Sequence, residues 1–142
     1  MKERNAELVA HAIEKEHQEL GERFRRMREL IVTDFFWDEI ERALEDLHER
    51  VCRHFALEEE GGYMSDVLRN NPNLDPDVNQ LRLEHVEMRI DLTDLVEKTR
   101  TRSGRDVVRR CFQEWLHRQQ RHEAKENRLF QLAMNTDIGN KD

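Results

Sequence analysis

Residues that interrupt helices are scarce in this sequence: its 142 residues include only five glycines and two prolines. Such a composition is typical of a chain that is nearly all helix. Long hydrophobic runs are missing too, since no stretch of about 18 apolar residues occurs, and the sequence predicts no membrane-spanning helix. The length predicts a single domain over residues 1–142, large enough to bury a core of its own.

An excess of basic charge and a high cysteine content are also lacking. The formal net charge is −7, which argues against nucleic acid and against an anionic membrane surface as partners. Cys52 and Cys111 are too few and too far apart for a disulfide framework or a cysteine-rich zinc site. Residues 1–7 are charged and lack the apolar core of a signal peptide. We therefore expect a cytoplasmic protein with two reduced cysteines.

Four segments carry apolar residues at alternating steps of three and four, the spacing of a helix with one buried face. They cover roughly residues 5–32, 38–64, 77–101 and 105–135. Pro72 and Pro76 separate the second segment from the third, and Ser103-Gly104 separates the third from the fourth. Because these connections are short, we predict an all-α, up-down-up-down antiparallel four-helix bundle. Gly61-Gly62, late in the second segment, is expected to loosen or kink that helix.

Each of the four predicted buried faces contains a histidine, and two of them contain a glutamate one turn further on. These six residues are His17, His54, Glu58, His85, His122 and Glu126. A buried glutamate costs on the order of several kcal/mol unless it is paired or bound to a cation. Measured from the breaks between segments, the histidines of consecutive helices also fall at similar heights. A pair of cations in the core would explain both features.

Imidazole combined with carboxylate is a donor set that suits iron, manganese or zinc. Two six-coordinate ions offer about twelve positions, of which four imidazoles and two bridging carboxylates fill about eight. The positions left over could take an oxo or hydroxo bridge and a small molecule such as dioxygen or peroxide. We therefore predict a dinuclear centre with two iron ions, with manganese or zinc as the alternatives.

The same six residues lie in four short pieces of sequence: Glu16-His17, His54-Phe55-x-x-Glu58-Glu59, Glu84-His85 and His122-Glu123-x-x-Glu126-Asn127. In their order and spacing these pieces resemble a hemerythrin-like (HHE cation-binding) domain, and the resemblance covers nearly the whole chain. It implies a four-helix bundle with a non-haem di-iron centre that binds or senses dioxygen, redox state or iron. It also implies that the four histidines are terminal ligands and that Glu58 and Glu126 bridge the ions.

The sequence departs from the oxygen-carrying hemerythrins at two places. Those proteins have a second histidine on the third helix, four residues after the first, where this chain has Arg89. Their fourth helix carries a histidine followed five residues later by aspartate, whereas His122 and Glu126 are four apart. Simple reversible oxygen carriage is therefore not expected. One ion should be more open, or should recruit a further carboxylate such as Glu59.

Three alternatives stay open from the sequence. The free coordination positions could make the protein a di-iron enzyme that reduces peroxide or nitrogen oxides, and Tyr63 is the candidate for a redox partner or hydrogen-bond donor. The chain could also be a metal-free helical bundle with buried polar networks. A ferritin-like site is the third, because Glu-x-x-His occurs at 14–17, 45–48 and 114–117. A homo-oligomer is possible in each case.

Other polar side chains near the six residues are assigned to solvent or to an outer layer. His11, His48 and His117 lie more than about 100° of helix rotation away from the apolar stripes, so we predict that they face solvent. The faces of the 45–48 and 114–117 pairs also carry further charges, which argues against the ferritin-like site. Glu59 and Glu123 adjoin proposed ligands but point about 100° away. Unless an open ion recruits Glu59 directly, both would act on a metal only through the residues that hold it.

Overall fold

The computed structural model of the chain is all-helical, as the composition predicted. It describes residues 2–33, 35–60 and 63–139, and among these the side chains of residues 11–33, 35–60 and 64–133. No strand occurs in this part of the chain. Four long helices and one short helix follow one another: α1 (Lys2–Thr33), α2 (Trp37–Glu60), α3 (Tyr63–Asn70), α4 (Asp75–Arg100) and α5 (Arg105–Gly139).

Proline and charge define the ends of α4. A 3₁₀ turn over Pro72–Leu74 leads into the helix, and Pro76 lies in its first turn, where a missing N–H removes no helical hydrogen bond. Asp75 begins the helix, and Lys98 and Arg100 lie in its last turn. These charges oppose the partial charges of the helix ends and stabilise both of them.

The four predicted segments match the four long helices to within a few residues at most ends. The main difference lies after the second segment, where α2 ends at Glu60 and the separate helix α3 begins at Tyr63. The kink expected at Gly61-Gly62 lies outside the described residues. Between α4 and α5, Gly104 has a φ of 131°, a backbone conformation that a side chain would strain, so the predicted break at Ser103-Gly104 is confirmed.

Two apolar clusters are formed by the facing sides of the helices, since α1 packs on α2, α2 on α4, and α4 on α5. The larger cluster includes Leu20, Met27, Leu44, Leu47, Leu92, Leu95, Phe112 and Trp115. The smaller one consists of Met64, Val67, Val78, Leu81, Leu129 and Ala133. Along α4 and α5, the histidines and glutamates lie between the residues of the larger cluster and those of the smaller one. A layer of polar side chains, called the polar layer below, therefore separates the two apolar clusters. None of the described helices carries an apolar stretch that could cross a bilayer.

Candidate metal centre

The polar layer contains all six residues that the sequence singled out. Five of them are at most 3% exposed: His54, Glu58, His85, His122 and Glu126. His17 on α1 is half-buried. Each of the four long helices therefore contributes at least one of these side chains, and the layer approaches solvent on the side of α1.

The six side chains come together as two groups of three. His17, His54 and Glu58 form the first group, and His85, His122 and Glu126 form the second. Within each group, one donor atom from every residue lies within 4.8 Å of the others, which is close enough to surround one metal ion. The first group joins α1 to α2, and the second joins α4 to α5. That these residues bind a metal stays a prediction, but the structure places them where binding requires.

The two glutamates connect donor atoms of different helices. Glu58 Oε1 lies 2.8 Å from His54 Nε2 and 3.9 Å from His85 Nε2. Glu126 Oε1 lies 3.6 Å from His85 Nε2 and in direct contact with His122 Nε2. Glu58 thus reaches both groups, and Glu126 reaches both imidazoles of the second group.

Most donor atoms in this layer have no hydrogen-bond partner. The Nε2 atoms of His54, His85 and His122 and both carboxylate oxygens of Glu58 are buried, and none of them forms a hydrogen bond within the described part of the chain. His54 Nε2 and Glu58 Oε1 are 2.8 Å apart without being aligned for one. Buried polar groups in native proteins nearly always have partners, and a buried charge without one is costly. A bound cation would take up these lone pairs, so the residues present fit a metal ion.

The protonation of the histidines also fits metal binding. Burial, followed by positive charge on the nearby His122 and His54 rings, lowers the pKa of His85 to about 2. Burial and then the His54 ring lower the pKa of His17 as well. Both imidazoles are therefore neutral at pH 7, and the neutral ring is the form that coordinates a metal.

Sulfur donors do not belong to this layer. Cys52 Sγ lies 3.8 Å from His48 Nε2, and Cys111 lines a surface groove beside Asp91 and Trp115. Among the described residues, the donor set consists of imidazole nitrogens and carboxylate oxygens, which suits iron, manganese or zinc rather than the softer ions that thiolates select.

Glu84 is the residue that the sequence analysis missed. Its Oε1 lies 2.8 Å from His122 Nδ1, and its Oε2 lies 2.8 Å from Lys125 Nζ. Burial alone would raise the pKa of Glu84, but hydrogen bonds from Lys125 and His122 outweigh it and lower the pKa. Glu84 is thus a carboxylate that orients His122 through its outer nitrogen. The sequence could have suggested this role, because Glu84 directly precedes His85 and a lysine, Lys125, lies on the neighbouring helix.

Phe55 was likewise given no role from the sequence. Its ring stacks on His85, with ring centroids 3.9 Å apart and an interplanar angle of 10°, and its edge contact with His122 is 5.9 Å between centroids. Phe55 is fully buried. It therefore restricts the rotation of the His85 ring and keeps water from that side of the layer.

Glu59 lies beside His85, with Oε2 3.6 Å from Nδ1, the ring nitrogen other than the one that faces Glu58 and Glu126. This placement agrees with a residue that acts through His85, and it lies on the outer side of the ring. Arg89, found where the oxygen carriers have a histidine, is half-buried. The side chain of Tyr63 lies outside the described residues, so its suggested role stays a prediction.

The remaining histidines lie away from the layer. His11 and His117 are exposed, as predicted. The prediction for His48 was wrong, because it is half-buried and its Nε2 lies 2.9 Å from Thr93 Oγ1. Glu45, a member of one Glu-x-x-His pair, is bound instead by Arg100 at 3.0 Å. Among the described residues the two groups above are the ones that could hold a metal, so the ferritin-like arrangement is not supported.

Comparison with known proteins agrees with this geometry. The family model described as the hemerythrin HHE cation binding domain matches residues 8–133, which is most of the chain and includes the whole polar layer. No curated protein matches the chain, and no solved structure does. Because the family match spans far more than half of the sequence, the chain belongs to the hemerythrin HHE cation-binding domain family.

Proposed function

We propose that this protein is a non-haem di-iron domain that binds or senses dioxygen, redox state or iron. The observation that supports this most directly is the pair of three-residue groups. Within the described residues, the Nε2 atoms of His54, His85 and His122 and both carboxylate oxygens of Glu58 are buried in them without a hydrogen-bond partner. A cation in each group would neutralise the negative charge of the buried carboxylates. Nitrogen and oxygen donors suit iron, manganese and zinc. Iron is proposed because the resemblance to hemerythrin-like domains implies a di-iron centre, and manganese and zinc are the alternatives.

In this proposal His17 and His54 hold one ion and His85 and His122 hold the other, with Glu58 and Glu126 shared between them. Bound iron would supply redox chemistry and coordination positions for a small ligand. The order of helix contacts, α1 with α2, α2 with α4 and α4 with α5, supports the up-down-up-down topology that this assignment assumes.

The surroundings of the two groups differ in a way that supports ligand binding. His85 is fully buried beneath Phe55, whereas His17 is half-buried. A small molecule such as dioxygen or peroxide would therefore approach the first group, while the second is protected by packing. Buried aromatic and aliphatic neighbours keep water from the rest of the layer and strengthen the electrostatic interactions within it.

Metal analysis tests the proposal. Purified protein loaded with iron under anaerobic conditions should retain about two iron ions per chain and, after oxidation, absorb in the near ultraviolet through ligand-to-iron charge transfer. The double substitution Glu58→Gln and Glu126→Gln should remove most of this iron and the absorption. The matched control is Glu49→Gln with Glu114→Gln, since both of these glutamates are exposed. Wild-type protein that binds no iron, and whose melting temperature is unaffected by a chelator, would refute the proposal.

The second candidate is a di-iron enzyme that reduces peroxide or nitrogen oxides, which the half-buried His17 side also favours because a substrate could reach the ions there. Turnover distinguishes the two functions. Repeated consumption of hydrogen peroxide by the iron-loaded protein, with a suitable electron donor, would assign the enzyme. A single stoichiometric reaction that then stops would assign binding or sensing.

A further inference from the structure

An apolar stripe lies on the outer face of α4. Leu83, Val86 and Ile90 are 51%, 42% and 61% exposed, and their spacing of three and four residues places them on one side of the helix. Buried residues of the same helix, such as His85 and Met88, point to the opposite side. The core and the polar layer therefore make no use of this stripe.

Charges of opposite sign border the two sides of the stripe. At about 100° per residue, Arg82 and Arg89 lie along one side, and Glu87 and Asp94 lie along the other. Within the described part of the chain, neither of these arginines forms an ion pair with a carboxylate, and Glu87 forms none with a basic side chain. Asp94 is paired with Lys98. The stripe is thus flanked by an arginine side and an acidic side with charge left to pair.

We infer that this face of α4 docks against the same face of a second copy of the chain, with the two α4 helices parallel. Leu83, Val86 and Ile90 then occupy the a, d and a positions of a heptad, while the arginines occupy g and the acids occupy e. In a parallel two-stranded pair, each g residue faces the e residue five positions later in the partner chain. Arg82 would face Glu87 of the partner subunit, and Arg89 would face Asp94 of the partner subunit.

The charges favour the parallel arrangement over the antiparallel one. A two-fold axis along α4 brings the arginine side of each copy against the acidic side of the other. An axis perpendicular to α4 would instead place arginines against arginines and acids against acids, which is unfavourable. The positions of these four flanking charges therefore select one orientation.

The neighbouring helices extend the same complementarity. On the arginine side, Arg100 lies 3.0 Å from Glu45 of α2, whose edge also carries Glu41. On the acidic side, Asp91 contacts Arg118 of α5, and Arg121 lines the same groove together with Glu114, so this edge of α5 has a net positive charge. In the parallel pair the acidic edge of α2 would face the basic edge of α5 in the other copy. In the antiparallel pair, edges of like charge would meet.

The dimer should be weak, because three apolar side chains over about two turns make a small interface. Interfaces at the low end of the specific size range are transient, and we expect a dissociation constant on the order of micromolar or weaker. Sedimentation equilibrium of the iron-loaded protein, from low micromolar concentrations upward, should show the mass rising from one chain toward two. Higher salt should weaken the association, since it screens the flanking ion pairs.

Ile90→Lys should prevent this rise in mass, since it places a charge in the middle of the stripe. Val32→Lys is the matched control: Val32 is 65% exposed and lies on α1. Because both positions are exposed, helix content and bound iron should match the wild type in both variants. A wild type that stays monomeric would mean that the stripe is solvated or binds a different protein, and it would overturn the proposal. An equal effect of the two substitutions would also overturn it.

The orientation has its own test. Val86→Cys, in a background with Cys52→Ser and Cys111→Ser, should form a disulfide between two copies, because a d residue meets itself only in the parallel pair. Val32→Cys in the same background should not. Reversing only the arginines (Arg82→Glu with Arg89→Glu) should weaken the dimer at least tenfold. Adding Glu87→Arg and Asp94→Arg should restore it; failure of that restoration would exclude the parallel pairing.

Discussion

Glu84 Oε1 accepts a 2.8 Å hydrogen bond from Nδ1 of His122, across the boundary between α4 and α5. Lys125 Nζ, 2.8 Å from the other carboxylate oxygen, holds Glu84 from the same helix that carries His122. An ionised carboxylate can only accept hydrogen bonds, so the proton of the His122 ring is on Nδ1. The lone pair on Nε2 therefore faces Glu126. The hydrogen bond therefore fixes both the tautomer and the direction of a proposed ligand.

Replacing Glu84 should weaken metal binding without removing any proposed ligand. For Glu84→Ala we expect the affinity of the second group to fall roughly 10- to 100-fold, the usual effect of losing a residue that orients a ligand. Competition with a chelator of known affinity measures this change. Glu114→Ala, an exposed glutamate of α5, is the control. Equal affinities of the two variants would show that Glu84 does not orient His122 for binding.

Phe55→Ala should destabilise the protein and loosen the His85 ring. Phe55 is fully buried and stacks on that ring at 3.9 Å, and truncation of a buried phenylalanine costs about 3–5 kcal/mol. Urea unfolding of the metal-free protein should show this loss. Phe55→Leu keeps most of the volume, so it should cost less stability while still removing the stacking contact. Phe36→Ala is the control, because Phe36 is 59% exposed; a comparable loss there would contradict the assignment.

The Cys52 thiol should be slow to react, which bears on how the protein could sense redox state. Burial raises the pKa of the Cys52 thiol above its ordinary value, and the positive charge of Arg89 opposes this only in part. Only the thiolate is nucleophilic, so a raised pKa leaves less of it at neutral pH. In a Cys111→Ser background, alkylation by iodoacetamide should therefore rise at higher pH in the folded protein than in the unfolded chain. Coincident profiles would argue against this and would return Cys52 to consideration as a redox sensor.

The sequence predicted the long helices and the six clustered side chains for the same physical reason. One face of each helix is buried, so apolar residues recur at steps of three and four, and a polar residue at such a step is conspicuous. His54 and Glu58 share a face because they are one turn apart. The end of the second helix was predicted less well. Gly61-Gly62 was expected only to loosen or kink that helix, whereas α2 ends at Glu60 and α3 begins at Tyr63.

The helical periodicity of the sequence does not predict which side chains of neighbouring helices contact each other. Glu84 and Phe55 each adjoin a proposed ligand in the sequence and point about 100° away from it. Whether that direction meets solvent or another helix depends on how the helices pack around one another. His48 shows the same limitation, because its position off the apolar stripe predicted exposure while α4 supplies Thr93 at 2.9 Å.

Without metal, the wild-type protein should be less stable than the double variant in which Glu58 and Glu126 are replaced by glutamine. Glu58 is fully buried with both oxygens lacking a hydrogen-bond partner in the described part of the chain. An unpaired buried charge costs on the order of several kcal/mol, and glutamine replaces the carboxylate by a neutral group of similar shape. In the presence of a chelator, Glu58→Gln with Glu126→Gln should therefore unfold at a higher urea concentration than the wild type.

Adding iron should reverse that order. A ligand that binds only the folded state stabilises it by about 2.7 kcal/mol at 100 times its dissociation constant, and the wild type would gain this while the double variant would not. Urea unfolding in the presence of a chelator measures the stability order without metal, and urea unfolding with iron(II) measures the order with it. The control variant, Glu49→Gln with Glu114→Gln, should be as stable as the wild type under both conditions. A double variant that is less stable than the wild type in chelator would mean that the two carboxylates are stabilised by the protein itself. The unpaired oxygens of Glu58 would then need no cation, which would contradict the proposed metal centre.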